Sequence, residues 1–183
     1  MTKHPVFITG NQHKTDYLTK ILGITLDHQK LNLEEIQSVR LEEIVEHKVK
    51  QAYQMIGRPV LVEDVGLRFT ALGELPGPFI KFFIESPDGL EKLCRMLDSF
   101  EDRTARAECV FGYYDGTHLE LIRGGLDGSI AEHPRGENGF GFDKILQPNG
   151  YNGKTRAELN HDDDIKTYEI IKPFAALRDY LNS

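Results

Sequence analysis

Only two cysteines occur in the 183 residues, Cys94 and Cys109, with no Cys-x-x-Cys pair and no histidine at ligand spacing from either. A disulfide framework or a thiolate metal centre therefore has no basis, and both read as small buried hydrophobes of a reducing compartment. Positive charge is in deficit: 22 Lys and Arg against 29 Asp and Glu leave a net charge of -7. That argues against general affinity for DNA, RNA or anionic membranes. A small phosphorylated ligand stays open, because local lysines and helix N-termini act at short range whatever the net charge. No apolar run approaches the roughly 20 residues of a membrane span. Residues 1–10 carry neither a charged start before a long apolar stretch nor a cleavage site, so the cytoplasm is the expected location. Repeats and low-complexity linkers are missing too, and residues 1–183 are expected to form one domain, with two lobes at most.

What is present suffices for a core: 39% hydrophobic and 28% charged residues. Val6-Phe7-Ile8 reads as a strand that stops at Thr9-Gly10-Asn11. Asn11 is placed to cap a helix with the stripe Tyr17, Leu18, Ile21 and Leu22, ended by Gly23. A second helix is predicted over 41–56, with Leu41, Ile44, Val45, Ala52 and Ile56 on one face. Val60-Leu61-Val62 is a buried-type strand running into Glu63-Asp64. Residues 72–78 hold two glycines and two prolines and read as a rigid loop. Leu90, Leu93, Cys94 and Leu97 suggest a further helix. Ala105, Ala107, Cys109, Phe111 and Tyr113 alternate at strand period, and Asp115-Gly116 reads as a turn into a strand at 118–123. Residues 124–128 read as a break, 136–141 as a loop or tight strand edge, and 166–181 as a last helix with Pro173 as start or kink. Strands and helices mix without strict alternation, which predicts an α/β fold with a mixed sheet.

Five constellations could carry chemistry. Thr9-Gly10-Asn11-Gln12-His13-Lys14 presents a hydroxyl, backbone N–H groups and a helix N-terminus, with Lys14 in the first turn. That suits an anion by geometry and dipole, although an ordinary capped turn looks the same and a Walker A loop is not formed. Glu63 and Asp64 project to opposite faces of a strand, so one of them, with an acid such as Glu34 or Glu35, could hold Mg²⁺; two solvated acids at a strand end are the alternative. Lys48 falls between Ile44 and Ala52, inside the apolar stripe, where a cation must snorkel or find an anion. Asn138-Gly139-Phe140-Gly141-Phe142-Asp143 could lay a ring against a nucleobase, or simply pack in the core. His161-Asp162-Asp163-Asp164 suggests metal ligands only superficially and reads as a solvated loop or helix start.

Several motifs occur in a recognisable order between residues 6 and about 158. They are Phe7-Ile8-Thr9-Gly10-Asn11-x-x-Lys14, Asn32-Leu33-Glu34-Glu35-Ile36-Gln37, Val60-Leu61-Val62-Glu63-Asp64-Val65-Gly66-Leu67 and Ala71-Leu72-Gly73-Glu74-Leu75-Pro76-Gly77-Pro78. Gly139-Phe140-Gly141-Phe142-Asp143, Gln147-Pro148-x-Gly150-Tyr151 and Thr155-x-Ala157-Glu158 complete the series. This order resembles the inosine triphosphate pyrophosphatase family, which clears non-standard purine nucleotides such as inosine and xanthosine triphosphates. The Glu-Asp and Leu-Pro-Gly-Pro forms are similar to its eukaryotic-type branch.

The resemblance implies a long mixed sheet flanked by helices, two lobes with a central cleft, a homodimer and a Mg²⁺ requirement, with Mn²⁺ as the alternative. It assigns Thr9, Gly10, Asn11 and Lys14 to the triphosphate and Lys48 to substrate binding. Glu35 and Asp64 match metal ligands, with Asp64 also the acid that activates water. Phe140 matches a base-stacking aromatic, with Gly141, Phe142 and Asp143 beside it. The implied reaction yields a nucleoside monophosphate and pyrophosphate, in nucleotide-pool sanitation. One departure bears on the base. The family's Lys-Asn-x-x-Ser-His-Arg, whose last residues grip the purine, is replaced by Lys166-Thr167-Tyr168-Glu169-Ile170-Ile171-Lys172-Pro173, in which Lys166 stands for the first lysine. A pocket missing those donors discriminates differently. The same chemistry on another modified or standard nucleotide is therefore the first alternative, and a weakly catalytic nucleotide-binding sensor the second.

Overall fold

The computed structural model describes residues 3–183, so the first two residues of the 1–10 stretch lie outside it. The strands are β1 (Val6–Ile8), β2 (Asp27–Gln29), β3 (Val60–Phe69), β4 (Pro76–Gly77), β5 (Thr104–Tyr114), β6 (Leu119–Ile130) and β7 (Leu146–Pro148). The helices are α1 (Gln12–Leu22), α2 (Leu41–Ile56), α3 (Ile80–Ile84), α4 (Gly89–Arg95), α5 (His161–Ile171) and α6 (Phe174–Asn182). The strands join in one seven-stranded sheet, β2-β1-β3-β5-β6-β7, with β4 paired to β3. β1 runs parallel to both β2 and β3, while β3–β4 and β6–β7 are antiparallel. The sheet is thus mixed. Among the described residues no helix is long and apolar enough to cross a membrane.

The chain divides into two compact units. The first comprises the described residues up to Asp64, with Cys109–Arg123 and Pro173–Ser183. Here β1 lies between β2 and β3, so the chain leaves β1 for a neighbour on one side through α1 and crosses to the other side through α2. Such a reversal opens a crevice at the carboxyl ends of the parallel strands, where ligands of α/β proteins gather. α2 buries Leu41, Ile44, Val45, Val49 and Ala52, and most of that face joins Val60, Val62 and Val110 in one cluster. Each such side chain contributes roughly 1.5–3 kcal/mol on burial. Gly112 on β5 lets the helix come this close, because a Cβ there would collide with Val45 Cγ1.

The second unit holds Val65–Glu108 and Gly124–Lys172. Its fully buried side chains include Phe69, Leu93, Leu97, Ile145 and Leu146. Arg103 clamps it from inside, donating from Nε to the Ile130 carbonyl (2.9 Å) and from a terminal nitrogen to the Cys94 (2.9 Å) and Ala131 (2.8 Å) carbonyls.

Some elements differ from the expectation. Residues 124–128 do not break a strand but run inside β6, where Gly128 pairs with Pro148 of β7. Pairing from outside overrides the low strand preference of glycine there. The 72–78 loop is punctuated by a 3-10 turn at Thr70–Leu72 and the short β4. The single last helix is two, α5 starting at His161 and α6 after Pro173, with Lys172 between them in an extended conformation (φ -100°, ψ 106°). A residue before proline avoids helical geometry, so the break falls there. β2 had no apolar pattern to announce it, and all three of its residues are exposed.

Candidate active site

In the first unit, Thr9 to Lys14 fold as the cap reading requires. Asn11 Oδ1 accepts from the Lys14 amide (3.2 Å), and Thr9 Oγ1 accepts from the Asn11 amide (3.1 Å). No acidic residue occupies the first turn of α1, which leaves the positive end of its dipole uncompensated. The β1–β3 register pairs Phe7 with Leu61; carried two residues on, it brings Thr9 level with Glu63. β3 continues beyond the end of β1, so Glu63 and Asp64 line that end. Lys14 closes the arrangement, its Nζ 3.3 Å from Glu63 Oε1. The stem of Lys30 lies against Gly10, adding a second lysine to the turn.

Lys48 does not snorkel. Its side chain is 12% exposed, and its Nζ donates to Glu35 Oε1 at 2.8 Å and to Asp64 Oδ2 at 2.7 Å. Burial pulls its pKa down, but the Asp64 charge, the hydrogen bonds to Asp64 and Glu35 and the Glu35 charge together hold it above the ordinary lysine value. The lysine therefore stays charged, and two acids 29 residues apart in sequence converge on one cation. Among the described residues no group of three or more His, Cys, Asp or Glu forms a ready metal cage. Two carboxylates closing on one positive group nevertheless match how a hard divalent ion is held when phosphate oxygens and water complete the shell. The backbone amide of Glu34 donates to Gln51 Oε1 (2.8 Å).

In the second unit Phe140 is 67% exposed and its ring is open to contact. Tyr168 of α5 meets it edge-on, with ring centroids 6.2 Å apart. Gly139 holds a positive φ of 77°, and a Cβ on it would collide with Asp143 Oδ2. Phe142 and Asp143 turn inward, 9% and 3% exposed, so Phe142 is packed and Phe140 alone of the pair presents an open ring. Asp143 Oδ2 accepts from the Phe140 amide (3.0 Å) while its Oδ1 pairs with Arg156 (2.5 Å). Burial pushes the Asp143 carboxyl above its ordinary pKa, against the opposing pull of Arg156. Lys166 is 66% exposed and pairs with Asp163 at 3.3 Å. Asp162, Asp163 and Asp164 form the first turn of α5 behind the Asn160 cap, the helix-start reading of that run.

Lys30, Tyr168 and Arg156 were not singled out by the sequence, whereas Glu63 stood there as the alternative to Asp64. Lys30 and Arg156 carry no local signal at all. Glu63 was visible as the neighbour of Asp64, and Tyr168 follows Asp164 by four residues on α5.

Comparison with known proteins completes the picture. The Ham1 family model matches residues 5–179. The inosine triphosphate pyrophosphatase of Scheffersomyces stipitis is 40% identical, covering 97% of each chain. Inosine triphosphate pyrophosphatase 2 of Trypanosoma cruzi is 41% identical over 93% of this chain and 88% of its own. A HAM1 protein structure from Coxiella burnetii superposes with a TM-score of 0.85 over 98% of both chains, at 26% identity. With its capped turn beside the acids at the carboxyl ends of β1 and β3, and with this likeness over nearly its whole length, the chain belongs to the Ham1 family.

Proposed function

We propose that this enzyme hydrolyses non-standard purine nucleoside triphosphates, inosine triphosphate foremost, to the monophosphate and pyrophosphate. Support comes from the names of its relatives and, above all, from one observation: the Thr9–Lys14 turn reaches Glu63 on β3 through Lys14, one residue before the Asp64 that Lys48 draws together with Glu35. The amides around Gly10 and Asn11 and the α1 N-terminus receive phosphate oxygens. Lys14 and Lys48 stabilise charge on the departing pyrophosphate. Glu35 and Asp64 hold a divalent ion, magnesium or else manganese, which when bound offsets negative charge at the phosphates. Asp64 then polarises the attacking water. The resemblance assigns the base to the open ring of Phe140, with Gly141, Phe142 and Asp143 beside it and Lys166 as a further substrate-binding residue. The homodimer rests on the family resemblance.

A shifted base preference is the second reading, favoured by Tyr168 and Lys172 in the stretch where the Ser-His-Arg motif was expected. A panel of inosine, xanthosine, guanosine, adenosine and pyrimidine triphosphates, followed by pyrophosphate release, tests both. Faster turnover of the 6-oxo purines that lack the standard amino pattern is expected. Equal turnover of standard nucleotides transfers the protein to the second reading, and absence of multiple turnover on any of them overturns both in favour of a nucleotide sensor.

A further inference from the structure

Arg156 is 3% exposed, yet it stands in a short 3-10 turn (Arg156–Glu158) with no apolar stripe to bury it. Its guanidinium is almost fully engaged. Nε donates to Thr167 Oγ1 (3.0 Å), one terminal nitrogen to Asp143 Oδ1 (2.5 Å), and the other to Asp164 Oδ1 (2.6 Å) and the Asp164 carbonyl (3.4 Å). Two of these partners, Asp164 and Thr167, are on α5, and the third lies at the end of the Phe140 turn. The planar fork of arginine can serve both at once, which a lysine ammonium cannot do with the same directionality.

The consequences converge on one ring. Asp143 is held by Arg156 through one oxygen and holds the Phe140 amide through the other. Tyr168, on the same helix as Asp164 and Thr167, lies with the Arg156 guanidinium carbon 5.6 Å from its ring centroid and meets Phe140 edge-on. Both supports of Phe140, its backbone and its edge neighbour, therefore run through one guanidinium. Lys172, 5% exposed and with its Nζ 5.9 Å from the Tyr168 centroid, adds a second cation beside that ring.

We infer that Arg156 is a positioning residue for base recognition, setting the attitude of the Phe140 ring through Asp143 and Tyr168 without touching the nucleotide itself. This rests on the reading of Phe140 as the base platform. Arg156→Met removes the fork, and Arg156→Lys restores the charge without it. The probes are inosine monophosphate and pyrophosphate, the two products, titrated by calorimetry at a temperature where circular dichroism shows each variant folded.

Phe140→Ala should weaken inosine monophosphate on the order of tenfold, the usual scale of a base–aromatic contact. Arg156→Met should weaken it about three- to tenfold, with Arg156→Lys at least threefold, while pyrophosphate affinity stays as in the parent. In a Phe140→Ala background the Arg156→Met effect should vanish, because the ring through which it acts is gone. A loss that persists undiminished in that background, an equal loss for pyrophosphate, or parental inosine monophosphate affinity in both Arg156 variants overturns the inference alone. Parental affinity in Phe140→Ala itself overturns the base-platform reading, and the inference with it.

Discussion

Two clusters in this protein share one make-up, a single cation between two carboxylates, and differ in every physical respect that follows. Lys48 with Glu35 and Asp64 belongs to the first unit, and Arg156 with Asp143 and Asp164 to the second. The acids around Lys48 are 58% and 22% exposed at the side chain; around Arg156, Asp164 is 34% exposed and Asp143 only 5%, so the difference in burial lies in Asp143 and in the cation, 12% for Lys48 against 3% for Arg156. A lysine ammonium is a compact point charge on a flexible stem, so it can give way when a stronger cation or a phosphate arrives. A buried guanidinium fork with four hydrogen bonds is fixed by its geometry. One cation to two acids is thus an adjustable pairing around Lys48 and a fixed brace around Arg156. The burial costs run the same way, since ions withdrawn from water must satisfy nearly all their hydrogen bonds inside.

Three changes would break or sharpen this contrast. The largest effect is expected at Asp64, the accessible acid assigned to the reacting water. Asp64→Asn should cut turnover by at least about a thousandfold, or about 4 kcal/mol of barrier. Activity within about threefold of the parent would remove the distinction between site and brace. Next comes the brace. Arg156→Met should cost about 3 kcal/mol of folding stability in denaturant titration, because Asp143 is left buried without its counter-ion. That loss should shrink as the pH falls from neutral and protonation of Asp143 removes the charge that Arg156 balanced. Burial raises the folded pKa of Asp143, so the folded state binds the proton more tightly than the unfolded chain, and acid favours it. A loss that stays constant as the pH falls would show that the Asp143 charge is not what Arg156 balances. The smallest effect belongs to Lys48. Lys48→Met should weaken triphosphate binding about tenfold by calorimetry, equivalent to about 1.4 kcal/mol. Unchanged affinity would make the lysine a mere counter-ion of Glu35 and Asp64.

Much of the first unit was legible in the sequence because its signals are local. Asn11, Gly23 and the apolar stripe announced α1 and its caps, and α2 covers residues 41–56 as expected. Lys48 was conspicuous as a charge within that stripe, and the anomaly marked the point where Glu35 and Asp64 converge. Phe140 could be suspected from its flanking glycines, but its exposure and the inward turn of Phe142 could not. Arg156 had no such mark. A charged residue in a short turn looks solvated until its partners are known, and these sit 13, 11 and 8 residues away, one after the Phe140 turn and two on α5. The glycines of β6 misled in the other direction, since a ladder with β7 supplied what their own preference lacked.

Nearest-neighbour chemistry thus decided the caps, the helix faces, the stop at Pro173 and the order of motifs that marks the family, because each depends on residues within a turn or two of one another. Tertiary structure decided which acids meet Lys48, that Lys14 reaches Glu63 across 49 residues, and that Arg156 is buried while Phe140 stays open. Those pairings rest on strand register and on the close seating of α2 over Gly112, and no local periodicity encodes the partner of a charge so distant along the chain.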